Sequence, residues 1–321
     1  MTLTLNEAAD FLRAHDDYLI LTHKRPDGDT IGSGAALCRV LRAAGKTAFL
    51  LHNEELTPRF APLCEGLSLP HDEAAARTHT VLAADIASET LLPASALPYE
   101  ASVALCVDHH PSNTGFAART LLRAGAAATG ELVYDLMYAL GVTPDTAMLD
   151  ALYISVATDT GCFRFSNTTA LSHRIAAEAI DLGVDFHRHN RECFEVKSRA
   201  RFAIERKVFD EAVFSADGRI ASTVLARAAI DEIGATGDDL DNLSTLLVHL
   251  EGVECAILLQ ETKEPGEFKA SVRTHKPIDA SAICAELGGG GHPRAAGCTL
   301  YGTAESCRER LVAVAAVYLS C

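Results

Sequence analysis

Four apolar runs, DYLILTH (17–23), KTAFLLH (46–52), HTVLAAD (79–85) and SVALCVD (102–108), punctuate the first third of the chain, and each ends on a polar or charged residue. Runs so short and so uniformly apolar read as strands buried on both faces. Between and after them, TIGSGAALCRVLRAAG and TGELVYDLMYALG carry the three- and four-residue spacing of helices. This alternation predicts an α/β fold built on a doubly wound parallel sheet. Ligands of such sheets gather beyond the carboxyl ends of the strands, and His23, Asp85 and Asp108 close three of the four runs.

The pattern changes after residue 186. FHRHNRECFEVKSRARFAIERKVFD (186–210) alternates charges and contains neither glycine nor proline, so it reads as a solvated connecting helix. A first domain over 1–186 and a linker over 187–212 follow. Beyond it, GRIASTVLA, VECAILLQET and EFKASVRTH read as strands, the last two joined by a turn at Pro265-Gly266. The glycine run GGGGHPRAAG (288–297) precedes one more short strand and a final amphipathic helix. The expectation is a second, smaller α/β domain over 213–321, set across a cleft from the first.

Composition narrows the function. With 321 residues, 48% of them hydrophobic, the chain is long enough for two cores. Its 43 acidic and 28 basic side chains give a formal charge of -15, which counts against tight binding of long duplex DNA or any other extended nucleic acid. Small anions in a local pocket stay open. The start, MTLTLNEAADFLRAHDD, is acidic and amphipathic, and no later run approaches membrane-spanning length. A cytoplasmic protein without a membrane partner is therefore expected. The ten cysteines form no C-x-x-C pair and read as reduced, mostly buried thiols.

Candidate chemistry concentrates in THKRPDGDTIGSG (22–34). Gly28, Gly32 and Gly34 raise the question of a phosphate-binding loop, but two aspartates stand where such a loop carries lysine and a hydroxyl. Carboxylates repel a bare phosphate and accept one bridged by metal ions. His23, Asp27 and Asp29 offer one nitrogen and two oxygen ligands from a single turn, a set suited to Mn2+ or Co2+ rather than Ca2+. Taken alone, the same residues also read as a helix cap at Asp27 beside a solvated Asp29. Asp85, Asp108-His109-His110 and Asp159 add acids and imidazoles at further element ends, which together make enough ligands for two metals.

At this point the chain resembles a known family, the DHH phosphoesterases, through four motifs in order: THKRPDGD, AAD, DHHPSN and ATDTGCFRFSNTT. GGGGHPRAAG is similar to the signature of the DHH-associated domain, and SVRT (271–274) is similar to its Ser-x-Arg-Ser element, with Thr274 keeping the hydroxyl. The resemblance covers essentially the whole chain. It implies two divalent ions, Mn2+ first and Co2+ or Mg2+ as alternatives. One would be held by His23, Asp27 and Asp85, and the other by Asp29, Asp85, His109 and Asp159, with Asp85 bridging. Asp108 is then expected to orient a ligating histidine.

The compact two-domain form resembles the branch of the family that degrades very short oligoribonucleotides such as pApA and dephosphorylates 3'-phosphoadenosine 5'-phosphate (pAp) to AMP. In that setting His110 is expected at the scissile phosphate, as donor or general acid, against a purely structural hydrogen bond. Arg164, with Lys24 and Arg25, would supply positive charge near the metals. In the second domain, Gly289, Gly290 and Gly291 would let the backbone approach a ligand, with His292, Arg294 and Arg273 contacting a terminal phosphate. The competing readings are a flexible turn for the glycine run and a surface ion pair for Arg273.

The expected partners are short single-stranded RNA or small nucleotides, and the family leaves room for a homodimer. A cyclic di-AMP phosphodiesterase is the alternative activity, and a non-catalytic nucleotide sensor the remote one. A pyrophosphatase would pair the same motifs with a different second domain.

Overall fold

The computed structural model describes residues 1–77, 79–240, 242–275 and 277–319 of the chain, without the side chain of Asp238. The residues divide into two compact units, 1–196 and 197–321.

The first unit is built on six strands: β1 (Tyr18–Leu21), β2 (Ala48–Leu51), β3 (Ser68–Leu69), β4 (Thr80–Ala84), β5 (Val103–Asp108) and β6 (Thr120–Leu122). All pair in parallel, in the order β3-β2-β1-β4-β5-β6. The chain winds outward in one direction from β1 and in the other from β4. The crevice beyond β1 and β4 is therefore the place where this topology opens a ligand site.

The helices are α1 (Leu5–Ala14), α2 (Gly28–Ala43), α3 (His71–Ala75), α4 (Thr129–Ala139), α5 (Thr146–Asp159), α6 (Ala170–Asp181) and α7 (Phe186–Asn190). On one face α1, α2, α4, α5 and α6 share a core with Ile20, Leu82 and Leu105 of the sheet. The other face packs Leu19, Ala83 and Cys106 against α3 and short 3-10 turns.

Glycines in α2 serve this packing rather than a phosphate loop. A Cβ at Gly32 would stand 2.5 Å from the Ala151 carbonyl oxygen, and one at Gly34 would touch Leu50 and Thr22. The absence of side chains lets α2 lie against α5 and the sheet, which fixes the helix start that carries Asp27 and Asp29.

The segment expected as one connecting helix is divided. After α7 comes a single π turn, Arg191–Glu195, then α8 (Arg199–Asp210). Ile204 and Val208 of α8 are buried in the second unit's core, so its charged sequence conceals an apolar stripe.

The second unit holds β7 (Val213–Ser215), β8 (Ile220–Leu225), β9 (Cys255–Glu261), β10 (Glu267–Thr274), β11 (Gly290–His292) and β12 (Ala295–Tyr301). They form one mixed sheet, in the order β11-β12-β10-β9-β8-β7, in which β8 and β9 run parallel and the other pairs antiparallel. Its other helices are α9 (Arg227–Ile233), α10 (Gly237–Leu240), α11 (Ser244–Val248), α12 (Ala280–Ala285) and α13 (Ala304–Leu319). α12 and α13 cover one face of the sheet, and α8, α9 and α11 the other.

The nine cysteines among the described residues are free thiols, seven of them buried. No helix of the described residues is long and apolar enough to cross a membrane.

Candidate metal centre

His23 lies two residues beyond β1, Asp85 directly follows β4, and Asp108-His109-His110 stands at the end of β5. Asp27 caps α2, its carboxylate accepting from the backbone N–H groups of Asp29 and Thr30 at 3.0 and 3.1 Å. The expected helix cap at Asp27 is present, and it aims a carboxylate at the imidazole one turn back, while Asp29, expected as solvated in that reading, is buried.

Three groups of side chains come within metal-sharing reach. His23, Asp27 and Asp85 form one, Asp29, His109 and Asp159 a second, and Asp85, His109 and His110 a third, with the ligand atoms of each within 4.8 Å of one another. His23 Nε2 lies 3.5 Å from Asp27 Oδ1 and 3.6 Å from Asp85 Oδ2. His109 Nε2 lies 3.7, 3.6 and 3.2 Å from carboxylate oxygens of Asp29, Asp85 and Asp159. Asp85 thus faces both His23 and His109 through different oxygens.

Both imidazoles are fixed from behind. Nδ1 of His23 bonds the Lys24 carbonyl at 2.8 Å and Nδ1 of His109 bonds the Ala126 carbonyl at 3.2 Å. Each Nε2 is thereby turned to the carboxylates, the arrangement metal-ligating histidines adopt. His109 Nε2 is buried without a hydrogen-bond partner. A buried nitrogen left without a hydrogen bond among three carboxylates fits a site built for cations.

Asp29 is fully buried, accepting from the N–H groups of Thr129 and Gly130 at 2.7 and 3.2 Å and from the Ser155 hydroxyl at 2.5 Å. The start of α4 thus supports a carboxylate that burial would otherwise penalise. Asp85 accepts from the Thr129 hydroxyl at 2.9 Å and has φ +62, a left-handed conformation uncommon outside glycine and held here against strain. Asn53, buried between strand ends, donates to the His23 carbonyl and the Thr22 hydroxyl.

Asp108 engages the His110 ring rather than that of His109. Its Oδ1 accepts from His110 Nδ1 at 2.8 Å and from the His109 backbone N–H, while Oδ2 accepts from Asn113 at 2.6 Å. The ring it fixes is that of His110, which is 40% exposed and has Nε2 turned away from this bond.

Electrostatics follow from the crowding. Burial opposes charge on His23, but Asp27 and Asp85 outweigh it and raise its pKa to about 10. Burial likewise opposes charge on His109, and Asp159 with Asp85 raises its pKa to about 9. The Asp108 hydrogen bond raises that of His110. Burial, then the charges of Asp85 and Asp159, push Asp29 well above the usual carboxylate range, and burial with Asp85 and Asp27 also raises Asp159. In both carboxylates burial and neighbouring negative charge disfavour the ionised form.

Arg164 lies five residues past Asp159, donates through Nε to the Gly161 carbonyl at 2.6 Å, and forms no ion pair among the described residues. In the second unit the glycine run leads into strand β11 (Gly290–His292), paired with β12. A Cβ at Gly289 would stand 2.2 Å from the Gly297 carbonyl oxygen and one at Gly291 2.7 Å from that of Ala295, whereas Gly290 faces open space. Two of the three candidate glycines are thus required by the sheet itself. His292 is exposed, and Arg294 donates to the Ile278 carbonyl at 2.5 Å. Arg273 donates to Asn242, and Thr274 is buried against the carbonyls of Ile278 and Pro293.

The supporting residues Asn53, Thr129, Ser155 and Asn113 escaped sequence reasoning. Asn113 alone lies within a quoted motif; the others stand in stretches whose polarity carries no spacing signal.

Two family descriptions match the chain: "DHH family, N-terminal domain" over residues 17–156 and "DHHA1 domain" over 219–320. The bifunctional oligoribonuclease and PAP phosphatase NrnA of Thermus thermophilus is 33% identical over 290 residues, covering 88% of this chain and 84% of that protein. The protein of the same name from Bacillus subtilis is 23% identical, covering 92% of each. An exopolyphosphatase-related protein from Bacteroides fragilis shares the fold with a TM-score of 0.85 at 20% identity, covering 98% of this chain and 96% of that one. Motif order, ligand geometry and these likenesses agree: the chain belongs to the DHH family, the metal-dependent phosphoester hydrolases, with a DHHA1 domain as its second unit.

Proposed function

We propose that this enzyme degrades very short oligoribonucleotides, pApA among them, to mononucleotides and dephosphorylates pAp to AMP. The observation that supports it best is the meeting of two acid–imidazole groups at Asp85, beside a chain-long likeness to proteins named for those two activities. In this reading His23, Asp27 and Asp85 hold one divalent ion, and Asp29, Asp85, His109 and Asp159 the other, with Mn2+ the first candidate by donor type. Bound there, the ions supply charge neutralisation at the phosphoryl oxygens and acidification of the attacking water.

The remaining work falls to the protein's own groups. The Nδ1 bond to Asp108 raises the pKa of His110, which favours its protonated form, and leaves Nε2 facing outward. This imidazole is assigned to the scissile phosphate, donating to a phosphoryl oxygen or to the leaving oxygen. Arg164, anchored through Nε, keeps its terminal nitrogens for a second phosphate. His110→Ala is expected to lower kcat by about 10²- to 10⁴-fold while metal content stays unchanged; full turnover would remove His110 from the chemistry.

In the second unit, Arg294, Arg273, His292 and the Gly289–Gly291 backbone are assigned to the terminal phosphate of the substrate. Arg294→Ala is expected to raise KM for 5'-phosphorylated dinucleotides far more than for a generic phosphodiester. Equal effects on both would refute a substrate-reading role. The free thiols suit the reducing cytoplasm to which we assign the enzyme.

The deciding experiment follows product formation from pApA, pAp and cyclic di-AMP side by side in Mn2+, by chromatography. Conversion of pApA and pAp to AMP supports this reading. Opening of cyclic di-AMP with accumulation of pApA would replace it with a cyclic-dinucleotide phosphodiesterase, and no turnover at all would leave a nucleotide sensor.

A further inference from the structure

A second hollow of the first unit lies far from the carboxylates. It encloses about 200 Å³ and is lined by three arginines, Arg39, Arg59 and Arg188. Arg39 stands ten residues after Asp29 on the same helix, which places it about 15 Å along α2 from the metal-binding groups. Arg59 precedes a short 3-10 turn, and Arg188 belongs to α7. Three separate segments therefore bring guanidinium groups to one concavity.

Two carboxylates line the same hollow, and Asp150 acts on Arg39 through space, yet neither pairs directly with a guanidinium. Asp150 accepts from buried His189 at 2.6 Å, and Glu192 is exposed on the π turn. Among the described residues none of the three guanidinium groups lies within ion-pair distance of an acid. Arg39 spends one N–H on the Ala35 carbonyl at a weak 3.4 Å, while no side-chain hydrogen bond engages Arg59 or Arg188. The floor is apolar, formed by buried Phe60 and Leu63 with Ile154. In a protein of net charge -15, three arginines from separate segments lining one hollow, none of them in a direct ion pair among the described residues, mark a place where an anion completes the bonding.

We propose that this hollow is a binding site for a small oxyanion of the phosphate class, either the free ion or the phosphate of a compact phosphomonoester, separate from the catalytic centre. Its volume falls below the roughly 300 Å³ at which sites for drug-sized ligands begin, which limits the occupant to one phosphate and little beyond it. Arg59 and Arg188, at the rim, make the reversible contacts, and Arg39, half-buried on α2, sets the depth.

The test is equilibrium dialysis of the full-length chain against labelled inorganic phosphate at constant ionic strength. Three proteins are compared: wild type, Arg59→Gln/Arg188→Gln, and Asp85→Asn, which disables the catalytic groups. Both arginines are exposed and tie down no neighbouring segment through their side chains, so the double variant should fold. The expected result is phosphate binding by wild type and Asp85→Asn, weakened at least tenfold in the arginine variant. Binding that survives the arginine changes, or that disappears in Asp85→Asn, would assign the phosphate to the catalytic centre and overturn the proposal. Glycerol 3-phosphate serves as the competitor: displacement identifies a site for a compact phosphomonoester, and retention of phosphate identifies a site for the free ion.

Discussion

Asp85→Asn is expected to cut hydrolysis of pApA and pAp by more than about 10³-fold while leaving the fold intact. Loss of one preorganised group that meets charge in the transition state typically costs about 10²- to 10³-fold. Asp85 should exceed that, because its two oxygens face His23 and His109 separately, and removing its charge weakens both ligand groups together. Asparagine is the informative replacement. Asp85 has φ +62, which asparagine tolerates far better than alanine, and the amide oxygen can still accept from the Thr129 hydroxyl. The Tm of the metal-free variant should match or exceed that of metal-free wild type, since one negative charge leaves a crowded, partly buried set. Activity within tenfold of wild type, with metal content unchanged, would show that Asp85 is not shared between the two groups.

Strand ends were legible because buried parallel strands announce themselves as unbroken apolar runs. The four runs predicted from sequence coincide with β1, β2, β4 and β5; His23 and Asp85, which close two of them, meet in space, Asp108 bonds His110 beside them, and His52 stays exposed apart from the group. β3 and β6 escaped notice because two- and three-residue strands carry no periodicity. The charged stretch 186–210 misled for another reason. Its apolar residues Ile204 and Val208 are outnumbered by arginines, lysines and glutamates, and only packing reveals that they belong to a core. Glycines were ambiguous throughout. A sequence cannot say whether a missing side chain makes room for a ligand or for the protein itself, and at Gly32, Gly289 and Gly291 the protein itself takes the space. The supporting bonds of Thr129 and Ser155 to the carboxylates depend on residues more than forty positions away, beyond the reach of spacing arguments.

Metal removal should make the enzyme's stability depend on pH in an unusual direction. His23 and His109, raised to about 10 and 9, contribute stability that is complete below the unfolded value near 6.5 and is lost as pH rises through 9 to 10. Asp29 and Asp159 bind protons more readily folded than unfolded, so ionising them as pH rises also costs stability. Asp27 and Asp108 are shifted down: burial pushes each up, and the hydrogen bonds from His23 to Asp27 and from His110 and Asn113 to Asp108 outweigh it. Both are ionised in either state above about pH 5 and add no slope there. Between pH 6.5 and 9 the metal-free centre therefore loses stability steadily. Divalent ions replace those protons, so binding must release them. Two outcomes are expected. Mn2+ at a thousandfold excess over Kd should stabilise by about 4 kcal/mol per site, and the Tm difference between Mn2+-loaded and EDTA-treated protein should widen as pH rises from 6.5 to 9. Calorimetric titrations in two buffers of different ionisation heat should report about one to two protons released on saturation at neutral pH. A pH-independent Tm difference with no proton release would mean that the two acid–imidazole groups are not where the metal binds.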